Sequence, residues 1–184
     1  QAQDILRDLI ADSYPTDRQI LHLLQTWAFA KNYSRKNVMP DGQYTVHRDA
    51  LGLIAQRGTQ IPLITRATTD HWAFYKFITT WIAGQMHKIF GSKIFHHTTI
   101  SINHGYAAKR HCDQNNAGPS IGIAIGQFTG GNSLYWPHDD SKVPIKDLHY
   151  DDSVIMHPDC HPIIFDDTAN NYEKATNTDI QIMI

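Results

Sequence analysis

Cysteine is scarce in this chain: Cys112 and Cys160 are the two it has. Two thiols do not make the disulfide framework that holds small secreted domains together. Long apolar runs are missing too, and none approaches the roughly 20 residues a helix needs to span a bilayer. The opening QAQDILRDLI lacks the basic start and apolar stretch of a secretory signal. A soluble chain is therefore expected, intracellular rather than secreted. Its first residue is Gln rather than Met, which points to a processed or truncated chain and leaves room for a removed targeting segment. An excess of one charge sign is also absent. The formal net charge of −2 gives no global pull toward nucleic acid, although a local basic face stays open. There is no internal repeat and no low-complexity tract.

What is present is a 184-residue chain, 41% hydrophobic and 18% charged, long enough to bury one core. A single domain over 1–184 is expected, with 1–92 mainly helical support around a short hairpin and 93–184 a β core. In DILRDLIADSY, Ile5, Leu6, Leu9 and Ile10 share a helical face. In TDRQILHLLQTWAFAKNY, Thr16 or Asp17 can cap a helix carrying Ile20, Leu21, Leu24, Trp27 and Ala28 on its apolar side. MPDGQY reads as a turn, and ALGLIA and IPLITRA as strands joined by the hairpin loop QRGTQ. The stretch TTDHWAFYKFITTWIAGQMHKIF predicts a helix capped by Thr69 or Asp70, with Trp72, Tyr75, Ile78, Ile82, Met86 and Ile89 on its core face.

After residue 93 the texture changes to short β runs broken by Gly, Pro, Asn and Asp: KIFHHTTISIN, SIGIAIGQF, NSLYWP, SVIMH, PIIFDD and DIQIMI. Short strands at close spacing suggest a sandwich or jelly roll. The fold class expected is α+β: a double-stranded β-helix with N-terminal helices packed on one face.

Histidine is the residue in excess, at twelve, which justifies a search for clusters. HCDQNNAGPS opens one. At a strand end, side chains two apart point to the same side, so His111 and Asp113 can face a barrel mouth while Cys112 faces away. An imidazole nitrogen and a carboxylate oxygen together suit a divalent first-row metal, as in the two-His, one-carboxylate facial triad of non-haem Fe(II) oxygenases. The alternative is an ordinary polar turn between strands. On the next strand, bulky Ile121, Ile123 and Ile125 alternate with Gly122, Ala124 and Gly126. One face is thus buried, while the other leaves room for a ligand or permits tight sheet packing.

The stretch TTISINHGYAAKRHCDQNNAGPSIGIAIGQFTGGNSLYWP resembles the Fe(II)/2-oxoglutarate dioxygenase superfamily, in particular its TET/JBP-like and algal or dinoflagellate branch. The residues that carry the likeness run in order: Asn103, Tyr106, His111, Asp113, Asn116, Gly118, Ser120, Gly126, Phe128, Gly130 and Gly131. The likeness covers roughly residues 50 to 184 and decays after Gly131. It implies Fe(II) and 2-oxoglutarate as cofactors, His111 and Asp113 as catalytic metal ligands, and Asn103 and Tyr106 among the co-substrate contacts.

The pattern departs from the family near the C-terminus. Phe165-Asp166 fits the family's last metal-site strand, yet Asn171 stands where a distal His ligand belongs, and Asp179 or its neighbours where a co-substrate Arg belongs. A neutral amide is a poorer Fe(II) ligand than imidazole, and an Asp repels a carboxylate that an Arg would hold bidentately. His157 or His161 of MHPDCHP can supply a third ligand instead, so His161 and Asn171 both stand as candidates. Lys174 can replace the Arg as a point charge, and Lys109 or Arg110 can reach over. His157, Cys160 and His161 also have ligand-like spacing of their own, although a proline-flanked loop accounts for them more simply. His96 and His97 are expected on opposite faces of one strand. Trp136 reads as an aromatic lid or as core, and PHDD as a solvated turn.

Two functions follow. One is oxidative hydroxylation of a nucleobase, reached by extrusion from the stack, or of a protein side chain. The other is a catalytically inactive module of the same fold with a binding or structural role in a larger assembly.

Overall fold

Thr16 sets the start of the first helix. Its hydroxyl accepts from the Gln19 backbone N–H at 3.3 Å, and the Gln19 side-chain oxygen accepts from the Thr16 N–H at 2.8 Å, the reciprocal pair of a capping box. Helix α1 (Asp17–Thr26) follows, burying Ile20, Leu23 and Leu24. Leu23 takes the core position expected of Leu21, which is half-buried. The chain turns extended at Trp27, so Trp27 and Ala28 lie beyond the helix.

The structure is a computed structural model. It describes residues 14–34, 39, 41–56, 58–59, 61–91, 95–105, 108–111, 118–127, 132–139, 142–156, 162–166, 171–174 and 180–183. The expected helix carrying Ile5, Leu6, Leu9 and Ile10 lies outside them. The fold is mixed α and β, and its paired strands run antiparallel. Two compact units divide it. One takes in the described residues up to Phe29 with Asp49–Ser101; the other takes Ala30–Arg48 with Ile102–Met183.

The first unit is built on helices. Strand β2 (Val46–Ala55) enters it and pairs with β3 (Pro62–Ile64), Ala55 opposite Pro62, which makes the intervening segment the expected hairpin loop. Thr65 then caps a short helix, α2 (Arg66–Asp70), by accepting from the Thr68 N–H at 3.3 Å. This displaces the cap expected at Thr69 or Asp70. Helix α3 (Trp72–Phe90) starts from His71 with no side-chain cap. Its buried stripe is Phe74, Phe77, Ile78, Trp81, Ile82, Gln85 and Met86, spaced three and four apart. Trp72 is 61% exposed and Ile89 41%. Sitting at the two ends of the helix, they fall off the core stripe that the sequence pattern assigned them to.

Polar tethers lock this core. Asp17 Oδ1 accepts from Trp81 Nε1 at 2.8 Å and from Gln85 Nε2 at 2.5 Å. Trp27 stacks on Phe74, ring centroids 3.7 Å apart, while its Nε1 donates to Asp49 at 2.8 Å. Gly52 is forced: its φ is +85°, and a Cβ there would lie 2.2 Å from the Thr98 carbonyl oxygen.

Most of the remaining strands fall in the second unit. The larger sheet is seven-stranded, in the order β1-β2-β4-β10-β5-β8 with β3 beside β2. Its remaining members are β1 (Lys31–Asn32), β4 (Thr99–His104), β5 (Pro119–Ile125), β8 (Ile163–Asp166) and β10 (Ile180–Met183). The smaller has the order β7-β6-β9, with β6 (Asn132–Tyr135), β7 (Val154–Met156) and β9 (Asn171–Lys174). From Ile121 to Ile125 strand β5 is buried at every residue. Its small-residue face is therefore covered as well as its isoleucine face. His96 and His97 precede β4 in a non-strand segment rather than sitting on a strand.

Candidate metal-binding segment around His111

Residues 108 to 111 lead from β4 toward β5 and are tied down one after another. Ala108 is 3% exposed and buries with Met39 and Val46. Lys109 Nζ pairs with Asp41 at 2.5 Å, but Asp41 is almost fully solvent-exposed, so the pair adds little stability. Arg110 packs against two neighbouring aromatic rings, its guanidinium carbon 4.4 Å from the Trp136 centroid and 4.7 Å from that of Tyr150. One terminal nitrogen also donates to the carbonyls of Ile145 at 2.7 Å and Leu148 at 3.0 Å. Neither cation is idle, so the expectation that Lys109 or Arg110 reaches over to a co-substrate carboxylate meets side chains already engaged elsewhere.

His111 itself is half-buried and forms an isolated β-bridge. Its Nδ1 sits 2.7 Å from the Lys109 carbonyl oxygen. A carbonyl can only accept, so Nδ1 carries the hydrogen and, in the neutral ring, Nε2 carries the lone pair. Metal-binding histidines commonly have one ring N–H held by a carbonyl in this way. On this count His111 fits a metal.

Asn103, on β4, is 5% exposed, and its Oδ1 is buried with no hydrogen-bond partner among the described residues. An unsatisfied buried amide oxygen costs free energy unless something binds it. Strand β9 brings Asn171 opposite Tyr135 and Lys174 opposite Asn132 by backbone register. Tyr106, Asp113, Cys112, His157, Cys160 and His161 lie outside the described residues. Among those described, no group of three or more His, Cys, Asp or Glu could hold a metal ion.

Trp136 is core: 1% exposed, with Nε1 donating to the His149 carbonyl at 2.8 Å. In PHDD, Pro137 and His138 form an exposed turn, as expected. Sequence reasoning missed the grip of Trp136 and Tyr150 on Arg110, because no local spacing links residues so far apart. The available signal was a basic residue directly before His111 and two aromatics downstream. Elsewhere, His97 is half-buried and its pKa is lowered. Burial is the largest cause, a hydrogen bond to the Phe95 carbonyl opposes it, and the nearby His96 charge adds to the lowering.

No protein-family model and no curated protein matches this chain. Among solved structures it is similar to the crystal structure of an oxidoreductase of the 2OG-Fe(II) oxygenase family from Burkholderia pseudomallei. The two are 13% identical, the match covers all of this chain (100%) and 88% of the other, and the TM-score is 0.53. The chain shares an oxygenase-like fold. At that identity the likeness speaks for architecture alone, and sites have to be argued from this chain's own residues. No helix among the described residues is long and apolar enough to cross a membrane.

Proposed function

We propose that this chain is an Fe(II)/2-oxoglutarate dioxygenase-like domain of the TET/JBP-like or algal and dinoflagellate type. The observation that carries the reading is the Nδ1–H of His111 held by the Lys109 carbonyl, the tautomer a metal-binding imidazole uses. The strand order supports it. The chain passes from β5 in the larger sheet to β6 and β7 in the smaller, back to β8, across to β9 and back to β10. That alternation is what the winding of a double-stranded β-helix, a jelly roll, would require, and it supports the reading. One domain over 1–184 is part of the same proposal.

His111 and Asp113 would hold the metal, with Asn171 or His161 as third ligand. Asn103, Tyr106 and Lys174 would contact 2-oxoglutarate, and the buried Oδ1 of Asn103, without a partner among the described residues, gives that assignment a polar atom to satisfy. Fe(II) with 2-oxoglutarate and dioxygen would supply the oxidising power for hydroxylating a C–H bond of a nucleobase or a protein side chain. With an amide in place of an imidazole, binding would be weaker than in a full facial triad.

Lys109 and Arg110 favour a second reading. Both are occupied within the protein, and the position matched to the family's co-substrate Arg is acidic. On that ground the alternative is a catalytically inactive module with a binding or structural role in a larger assembly. Conversion of 2-oxoglutarate to succinate, with and without added Fe(II), separates the two. Fe(II)-dependent turnover that disappears in His111→Ala establishes the oxygenase. Fe(II) binding without turnover establishes the inactive module.

A further inference from the structure

We propose that the outer edge of the larger sheet, where β1 pairs with β2, binds single-stranded nucleic acid. Charge points there first. Between Ala30 and Arg48 the sequence has four cations, Lys31, Arg35, Lys36 and Arg48, against one acid, Asp41. From His111 to the end it has three, Lys142, Lys146 and Lys174, against eleven acids. The small net charge therefore hides a basic stretch that complements a polyanion. Asp41 is already matched by Lys109, so it does not offset the four.

Backbone register turns part of that charge into a surface. Strand β1 ends the sheet, and Lys31 lies opposite His47 on β2. The Arg48 N–H donates to the Ala30 carbonyl at 3.0 Å. Ladder bonds alternate, so Lys31 and His47 form a non-hydrogen-bonded pair. In such a pair the side chains approach closely, and the Lys31 N–H faces the open edge. On β4, the other neighbour of β2, the His104 ring lies 6.3 Å from that of His47. Lys31, His47 and His104 thus make an exposed row across three adjacent strands. Two tyrosines stand beyond the row, at one end of the β1–β2 pair. Tyr33, 59% exposed, directly follows β1, and Tyr44, 82% exposed, comes two residues ahead of β2. The Ser34 N–H and hydroxyl donate to Asn32 Oδ1 at 2.9 and 2.8 Å, which fixes the turn carrying Tyr33. Cations alone would suit any polyanion. Exposed aromatic faces beside them suit bases, whose stacking tolerates any sequence. Lys31 and His47 meet phosphates, and Tyr33 and Tyr44 meet bases.

The test is fluorescence anisotropy of a labelled oligo(dT) with the full chain, without metal, over a range of salt. A length of about 12 nucleotides falls within the site sizes of single-strand binders. The wild type is expected to bind, with affinity falling as salt rises. Lys31→Ala should lower the slope of log affinity against log salt by roughly 0.7, the share of one phosphate contact. Tyr33→Ala should weaken binding about 10-fold at every salt concentration while keeping the slope. Should Tyr33→Ala not fold, Tyr44→Ala decides by the same readout. Absence of binding at low salt overturns the proposal. Equal affinity for polyglutamate of the same charge, or for anionic vesicles, overturns it too. So does unchanged affinity in both tyrosine variants, since that marks a site for any polyanion. The measurement needs no metal, so loss of the metal reading of His111 leaves this inference standing.

Discussion

The two units of this chain put their order in different places. The helical unit buries large side chains completely: Phe74, Ile78, Trp81 and Ile82 from α3 meet Ile20, Leu23 and Leu24 from α1. Its polar groups serve that packing, as Asp17 does for Trp81 and Gln85. The strand unit has a fully buried centre in β5, but β7 and β8 leave Val154, Ile155 and Ile164 substantially exposed. One of its buried polar groups, Asn103, has an oxygen with no partner among the described residues. A group whose bonding capacity is spent supports the fold, whereas a buried polar atom without a partner among the described residues, as Asn103 Oδ1 is, can take a ligand.

The largest expected effect that sharpens this contrast is Trp81→Ala, which empties the helical core and removes a donor from Asp17. It should cost about 3–5 kcal/mol in chemical denaturation; a loss under 1 kcal/mol would break the contrast. Gly52→Ala comes next, at about 3 kcal/mol, because it combines a positive φ with a backbone clash against Thr98. Asp17→Ala should cost about 1–3 kcal/mol by leaving the Trp81 and Gln85 donors without their acceptor.

The smallest effect concerns pH. His97 has a lowered pKa in the folded chain, so the unfolded chain binds its proton more readily. Its contribution to stability is fully present above the unfolded value of 6.5 and is lost as pH falls from there toward the folded value. Denaturation midpoints should therefore drop modestly as the pH falls below 6.5, and His97→Gln should flatten that part of the profile. An identical slope in the variant would remove His97 from the account.

Local chemistry was legible in the sequence; pairing between distant segments was not. The Thr16 cap, the hairpin loop and the positions of β4, β5, β6, β7, β8 and β10 follow from side-chain pattern and turn residues. Strand β9 escaped notice because Asn171, Glu173 and Lys174 have poor strand propensity. Its pairing with β6 makes it a strand. Likewise, Thr65 takes the cap ahead of Thr69 because Gly52 bonds to both Thr65 and Thr68, a contact across sixteen residues at its longest. At the candidate site His111 stood out from its spacing to Asp113. The restraint on Arg110 did not, since its aromatic partners lie far down the chain.

The central proposal is that His111 helps to hold a divalent metal. Anaerobic calorimetric titration of Fe(II) into the wild-type chain and into His111→Ala tests it most directly. The account predicts stoichiometric binding by the wild type and its loss in the variant, with folding unchanged. Equal heats from both proteins would contradict it.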